Sequence, residues 1–119
     1  MSREFVEVEL DKPRKLRFTM GNLRVLQQRL NGGSLLHIAN RIEQIDLEAI
    51  LQAYWVGLTW EDRKLTVDKV QDILQAKIAD GARMGDLIRP LTEAIIEGAG
   101  LFRAGADDDG APENPQTGA

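Results

Sequence analysis

The chain has 119 residues, which is enough for one hydrophobic core. It has no cysteine, which excludes disulfides, thiol catalysis and thiolate metal sites. The net charge of −4 arises after residue 103, where four acids and no base follow, so residues 1–103 hold fifteen charges of each sign. No apolar run approaches the roughly 18 residues of a bilayer span and no signal peptide is visible, so we expect a cytoplasmic protein without a membrane partner.

The first predicted element is a β-hairpin. Val6, Val8 and Leu10 alternate with polar residues as in a half-buried strand, a turn follows at residues 11–14, and alternation resumes over residues 15–18. Because an isolated hairpin is barely stable in water, it must pack on helices or pair with another chain. We therefore expect the hairpin edge to make contacts in a homo-oligomer. The residues expected there are Phe5, Val6, Val8, Leu16 and Phe18.

Two amphipathic helices follow the hairpin. Thr19 is placed to cap the first, the Asn-Gly-Gly at residues 31–33 tolerates the left-handed backbone at its end, and Ser34 is placed to cap the second. The apolar stripe of the second helix includes Ile45, and Leu36 falls off this stripe. We therefore expect Leu36 on the outside of the helix.

Residues 46–58 are apolar almost all the way round at helical spacing, and Asp46 is placed to cap them. Such a helix must be covered on more than one face, so we expect it at the centre of the domain. Trp55 lies at the edge of its main stripe, Val56 lies on the opposite side, and Trp60 follows in a polar connection. Two alternatives stay open: both tryptophans complete the core, or they remain exposed in a binding surface.

Two further helices complete the domain. Thr66 is placed to cap the first of them, the Asp-Gly at residues 80–81 closes it, and the second begins at Gly85 or Asp86. Residues 104–119 are rich in Gly, Pro and Asp and lack a periodic apolar pattern. We therefore expect them to form a disordered acidic tail.

The predicted fold class is α+β, mainly α. The chain has only two Trp, one Tyr and three Phe, so its core must be built mainly from Leu, Ile, Val and Ala, which suits helices. We expect one domain over residues 1–103, in which an N-terminal β-hairpin and about five helices pack around the apolar helix at residues 46–58.

The sequence offers no arrangement of catalytic or metal-binding residues. His37, the only histidine, has no acidic or imidazole partner at ligand spacing. The acids at residues 107–109 lack the glycine and distal glutamate of a calcium loop, and the Asn-Gly-Gly-Ser at residues 31–34 lacks the lysine and the length of a phosphate-binding loop. We therefore expect a protein that is not an enzyme and has no cofactor and no metal site.

Basic residues near the hairpin raise the alternative of nucleic-acid binding. Beyond Phe18 no stacking aromatic is interleaved with them, and the domain as a whole is not basic. We therefore expect no nucleic-acid partner. The basic residues concerned are Lys12, Arg14, Lys15, Arg17, Arg24 and Arg29.

Apolar surface is the remaining feature that can carry a function. A helical domain of this size has difficulty burying every apolar side chain that falls off its main stripes, and an exposed group of Trp and Leu marks a site for an apolar partner. We expect such a client-binding surface to include Leu36, Trp55, Val56 and Trp60.

Residues 14–23 (Arg-Lys-Leu-Arg-Phe-Thr-Met-Gly-Asn-Leu), followed by a leucine-rich helix, resemble the start of the tail assembly chaperones of long-tailed phages, in particular those of gene transfer agents and lambda-like prophages. The later order is similar too, with Trp-Val-Gly-Leu at residues 55–58 and Leu-Thr at residues 65–66 before a helix. The resemblance covers residues 5–103. The chain departs from the family pattern at residues 27–28, where two glutamines stand in place of an acidic residue.

The resemblance implies a non-enzymatic chaperone that coats the long, hydrophobic, helical tape measure protein before the tail tube polymerises around it. Such a protein acts in the cytoplasm of the bacterial host and is absent from the mature virion. Two alternatives stay open. One is a structural virion subunit of the tail-completion or head–tail connector type, and the other is a small DNA-binding regulator.

Overall fold

The computed structural model describes residues 5–100, in which two strands precede five helices. The elements in chain order are β1 (Val6–Glu9), β2 (Pro13–Leu16), α1 (Met20–Arg29), α2 (Leu35–Glu43), α3 (Leu47–Leu58), α4 (Val67–Ala79) and α5 (Met84–Ala99). The predicted class, α+β and mainly α with an N-terminal hairpin, is confirmed. The expected domain boundary at residue 103 and the expected acidic tail lie outside the described residues. No helix in the described range is both long and apolar enough to cross a lipid bilayer.

Four helices begin where the sequence predicts their caps. In each, the cap side chain accepts a hydrogen bond from the backbone N–H three residues on, which satisfies one free donor of the first turn. These caps are Thr19, Ser34, Asp46 and Thr66. The predicted start of α5 is one or two residues late. The helix begins at Met84, and the Asp86 carboxylate accepts from the Arg83 N–H at 3.0 Å, so it caps the helix from inside the first turn.

The helix α3 occupies the centre of the domain, as its sequence predicts. It packs against β2 and against the four other helices, and most of its side chains are buried. Tyr54 is completely buried and its hydroxyl donates to the carbonyl oxygen of Leu87 at 2.6 Å. Burial raises the pKa of Tyr54 well above its ordinary value, so the phenol stays neutral and links α3 to α5.

The hairpin packs on α3 and α5 through two glycines. Its strands are antiparallel, with Val6 opposite Leu16. A Cβ atom on Gly57 of α3 would lie 2.8 Å from Leu16 Cδ2, and one on Gly98 of α5 would lie 2.4 Å from the carbonyl oxygen of Phe18. Only glycine permits so close an approach. These two positions therefore fix the hairpin against both helices.

A buried arginine ties the hairpin turn to the connection between α3 and α4. Arg14 is 5% exposed, donates to the two carboxylate oxygens of Asp11 at 2.6 and 2.8 Å, and reaches Asp62 at 3.4 Å. The hydrogen bonds from Arg14 hold the pKa of Asp11 below its usual range. Because an unpaired buried charge is costly, this turn depends on its acidic partners.

Candidate functional site

The large apolar side chains that the fold leaves exposed are concentrated in one stretch of the chain. Six such side chains are exposed among the described residues, and five of them lie between residues 20 and 47. The five are Met20, Val25, Leu36, Ile45 and Leu47, and the sixth is Trp60. The stretch covers α1, α2 and the turn into α3. We refer to residues 20–47 as the open segment.

Leu36 lies on the outer face of α2, as predicted. Its side chain is 67% exposed, whereas Ile38 and Ile42 are fully buried. The helix packs against α1, α3 and α5 and uses these two isoleucines as its buried face. Leu36 is therefore accessible to a partner without any rearrangement of the core.

Trp55 lies half-buried between α1 and the connection that leads to α4. Its indole N–H donates to the carbonyl oxygen of Leu65 at 3.0 Å, and the guanidinium of Arg29 lies 4.2 Å from the ring centroid. Arg29 also donates to Gln52, whose amide donates to Glu48 at 2.8 Å. These contacts occupy the polar edge and one face of the indole. Only the rest of the ring is accessible to a partner.

Trp60 is 38% exposed and lies beside the outer edge of β2. Its indole N–H donates to the carbonyl oxygen of Lys15 at 2.9 Å, and the Arg17 guanidinium lies 5.3 Å from the ring centroid. The backbone N–H of Arg17 donates to the carbonyl oxygen of Gly57 at 3.0 Å. The outer edge of β2 is therefore hydrogen-bonded within the chain, and Trp60 presents part of its ring to a partner.

Val56 does not reach the surface, contrary to its predicted place in a client-binding surface. Its side chain is 3% exposed and belongs to the hydrophobic core. The reason is that α3 has neighbours on several sides, so the side opposite its main apolar stripe is covered as well. Val56 therefore stabilises the domain and does not form part of the exposed surface.

The side chains predicted to make oligomer contacts are mostly buried within the chain itself. Phe5 is half-buried, with the Lys15 ammonium 4.7 Å from its ring centroid. The others are core residues that are at most 8% exposed, namely Val6, Val8, Leu16 and Phe18. A two-stranded hairpin must bury one face to be stable, and this hairpin buries that face against its own helices. What remains for another subunit is the backbone edge of β1, which has no outer strand neighbour within residues 5–100.

Sequence reasoning missed Ile45 and Leu47, which are 51% and 56% exposed. The stripe of the second helix predicts Ile45 on the buried face, but α2 ends at Glu43 and the backbone at Ile45 is left-handed, with φ of 62°. The turn therefore takes Ile45 off the helical stripe. The signal was the cap at Asp46, because a new helix that begins there interrupts any stripe that runs through residue 45.

Four of the six basic residues near the hairpin already have partners inside the chain, and one of them is Lys15, whose ammonium lies over the Phe5 ring. Arg14 is buried against Asp11, and the guanidinium groups of Arg17 and Arg29 lie over indole rings. A surface that binds nucleic acid needs its cations free to meet phosphates. In this fold these four cations stabilise the hairpin, the connection after α3 and the packing of α1.

The candidate site is a set of apolar side chains, each accessible and each held by a well-packed helix or turn. His37 is exposed, and no group of three or more His, Asp or Glu side chains in residues 5–100 is placed to hold a metal ion. The accessible members of the site are Leu36, Ile45, Leu47, Trp60 and part of Trp55. In comparisons with known proteins, no family model, no curated protein and no solved structure matches the chain.

Proposed function

We propose that the chain is a phage or prophage tail assembly chaperone, which binds the hydrophobic tape measure protein before the tail tube forms around it. The observation that carries the proposal is the open segment, which holds five of the six exposed large apolar side chains in the described residues. A domain that acts alone gains nothing by keeping them in water, since burial is worth about 25 cal/mol per Å². A client that covers them gains that free energy on binding.

The spacing of the exposed side chains suits a helical client. Leu36 stands near the start of α2, and Ile45 and Leu47 follow its end. At about 1.5 Å per helical residue, the part of α2 from Leu36 to its end at Glu43 is roughly 11 Å long, or about two turns of a client helix. Such contacts are few and dispersed, which favours weak binding that the growing tail tube displaces. The chaperone then stays in the host cytoplasm and is absent from the mature virion.

The proposal includes a homo-oligomer that forms through the outer edge of β1. The carbonyl oxygen of Lys15 on β2 and the N–H of Arg17 just after it face away from β1, because they bond to Trp60 and Gly57. Glu7 lies opposite Lys15 in the hairpin register, so in an antiparallel pair its backbone groups also face outward. A strand from a second copy can pair with this edge.

Co-expression with the tape measure protein tests the chaperone function. We expect the two proteins to co-purify, and we expect the double variant Leu36→Gln, Leu47→Gln to lower the yield of complex about tenfold, because it removes two exposed apolar contacts and leaves the core intact. The matched control is His37→Gln, which changes an exposed neighbour of Leu36 without removing comparable apolar area. If the wild-type chain and the tape measure protein fail to associate, the proposal is wrong.

Mass spectrometry of purified particles separates the chaperone from a virion subunit. A chaperone is found in the lysate and not in the finished particle. A tail-completion or connector subunit is found in the particle in a fixed ratio to the other tail proteins. Detection at such a ratio would replace the chaperone function with the structural one.

The substitution Glu7→Pro tests the oligomer edge. We expect it to abolish self-association and to preserve the fold, because the N–H it removes points away from β2 and proline is tolerated at the edge of a sheet. Val8→Pro is the control, since Val8 lies opposite Arg14 and its N–H faces β2. We expect that control to disrupt the hairpin in circular dichroism. Sedimentation of the Glu7→Pro chain as the wild-type oligomer would show that the β1 edge is not the interface.

A further inference from the structure

The helices α1, α2 and α4 end in the same hydrogen-bonded motif, in which a left-handed residue stands two positions after the last helical residue. The left-handed positions are Asn31 after α1, Ile45 after α2 and Gly81 after α4, with φ of 64°, 62° and 110°. After α2 the Asp46 N–H donates to the Arg41 carbonyl oxygen at 3.0 Å, which closes the motif. Gly and Asn are the residues that this position favours, so Ile45 is the exception.

The conformation of Ile45 is unfavourable for its residue type. A β-branched side chain in the left-handed region is crowded against its own backbone, and only the surrounding structure holds it there. The same side chain is 51% exposed, so core packing explains only part of its presence. A strained, half-exposed apolar residue, where Asn or Gly would fold more easily, points to a role outside the domain.

Ile45 forms one wall of a groove between the end of α2 and the N-terminal half of α5. The groove has a volume of about 450 Å³ and includes Glu43 and Gly85, with Arg89 and Thr92 on the side of α5. A Cβ atom on Gly85 would meet nothing within 4 Å, so the groove is open there. Glu43 and Thr92 join its two walls through a hydrogen bond of 3.3 Å.

The occupant that suits this groove is a helix. The turn caps the carbonyl oxygens of Asn40, Arg41 and Ile42, so this wall has no row of free backbone groups with which an added strand could pair. A helix satisfies its own backbone and can place apolar side chains against Ile45 and the nearly buried Ile88. Leu47, which is 56% exposed, follows two residues after Ile45 and extends the apolar contact.

Charge specifies the flanks of that helix. Residues 43–48 contain three acids and no base; of these acids Glu43 lines the groove, and Arg89 stands across from it on α5. Of these acids only Asp46 has an arginine partner, since Arg41 donates to it at 2.8 Å. A partner whose Lys or Arg residues meet the α2 side of the groove therefore complements Glu43 there.

From these observations we infer that the groove beside Ile45 binds an amphipathic helix with apolar residues on one face and basic residues along its flank. The identity of the protein that supplies this helix rests on the proposed function, whereas the binding of a helix in the groove does not. The strain at Ile45 keeps an apolar side chain on the wall of the groove. The left-handed backbone at Ile45 therefore lowers the stability of the turn and presents an apolar side chain to a partner.

The test uses the full chain and two synthetic helical peptides of about 18 residues, one built from Leu and Lys and one from Leu and Glu. We expect the Lys peptide to bind, with the Glu peptide at least tenfold weaker in fluorescence anisotropy. We expect Ile45→Asn to weaken binding of the Lys peptide at least tenfold. We also expect the thermal midpoint of Ile45→Asn to be unchanged or raised by up to about 4 °C, because Asn tolerates the left-handed backbone.

The control is Gln75→Asn, which changes an exposed side chain on α4, outside both the open segment and the groove. We expect it to leave peptide binding within about twofold of wild type. Equal losses in the two variants would show non-specific adhesion. Unchanged binding by Ile45→Asn, or a fall of more than about 5 °C in its midpoint, would overturn the inference, as would an Ile45-dependent dimer in sedimentation.

The outcomes for this site and for the proposed function are distinguishable. If wild type and Ile45→Asn co-purify equally with the tape measure protein, the groove is not the binding site for the client helix, and the chaperone function is still supported. If wild type binds the Lys peptide through Ile45 but never co-purifies with the tape measure protein, the groove is a helix-binding site and its partner is a different protein.

Discussion

The helices α2 and α4 begin with the same kind of cap and differ on their outer faces. A hydroxyl caps each helix, from Ser34 and from Thr66, and each helix buries two aliphatic side chains. The exposed positions of α4 carry Asp, Lys, Gln and Ala, whereas α2 exposes Leu36 and is followed by exposed Ile45 and Leu47. The example of α4 shows that a capped helix in this domain needs no apolar outer face to fold. The exposed Leu36 of α2, with Ile45 and Leu47 after the helix, is therefore the better candidate for binding.

The difference between α2 and α4 is tested by placing the same substitution on the two helices. We expect Leu74→Gln to lower the free energy of unfolding by about 3 kcal/mol, because Leu74 is 6% exposed and the new amide is buried. We expect Leu36→Gln, at a 67% exposed position, to change it by no more than about 0.5 kcal/mol. Urea denaturation of both variants measures the difference. A loss above about 1.5 kcal/mol for Leu36→Gln would mean that α2 uses its outer face for stability.

A second pair of variants tests the support on which α2 rests. The helix α2 packs on α5, and α5 is fixed to the hairpin where a Cβ atom on Gly98 would meet the Phe18 carbonyl oxygen at 2.4 Å. We expect Gly98→Ala to destabilise the domain by about 2 to 3 kcal/mol. In the same helix nothing lies within 4 Å of a Cβ atom on Gly85, so we expect Gly85→Ala to stabilise it by about 0.5 to 1 kcal/mol. Equal effects of the two variants in thermal denaturation would show that α5 can shift away from the hairpin.

Much of the fold follows from local sequence signals. The caps at Thr19, Ser34, Asp46 and Thr66 mark helix starts because a short polar side chain satisfies backbone donors that no earlier turn can reach. Alternation in the hairpin and the nearly all-round apolar pattern of α3 fix which parts are buried. These signals act over a few residues, so one sequence is enough to detect them.

The candidate site was harder to predict because it depends on contacts between distant residues. The exposure of Trp55 and Trp60 is decided by Leu65 and Lys15, whose carbonyl oxygens accept from the two indoles. Val56 is buried because the neighbours of α3 cover that side as well. The exposure of Ile45 depends on one left-handed residue, which helical periodicity does not reveal.

A smaller effect is expected at the hairpin turn, where the free energy of unfolding should depend on pH through Asp11 and Arg14. The hydrogen bonds from Arg14 lower the pKa of Asp11 in the folded chain, so the charged form of Asp11 stabilises the fold above its ordinary pKa, and this contribution is lost as pH falls through the lower folded value. Because Asp11 is 43% exposed, solvent screening limits the contribution to less than about 1 kcal/mol. We expect Asp11→Asn to be less stable than wild type at about pH 6 and the gap to narrow as pH falls below the ordinary pKa of an aspartate. Urea denaturation across that range measures the gap. A gap that stays constant down to about pH 2 would mean that Asp11 acts through the shape of the turn and not through its charge.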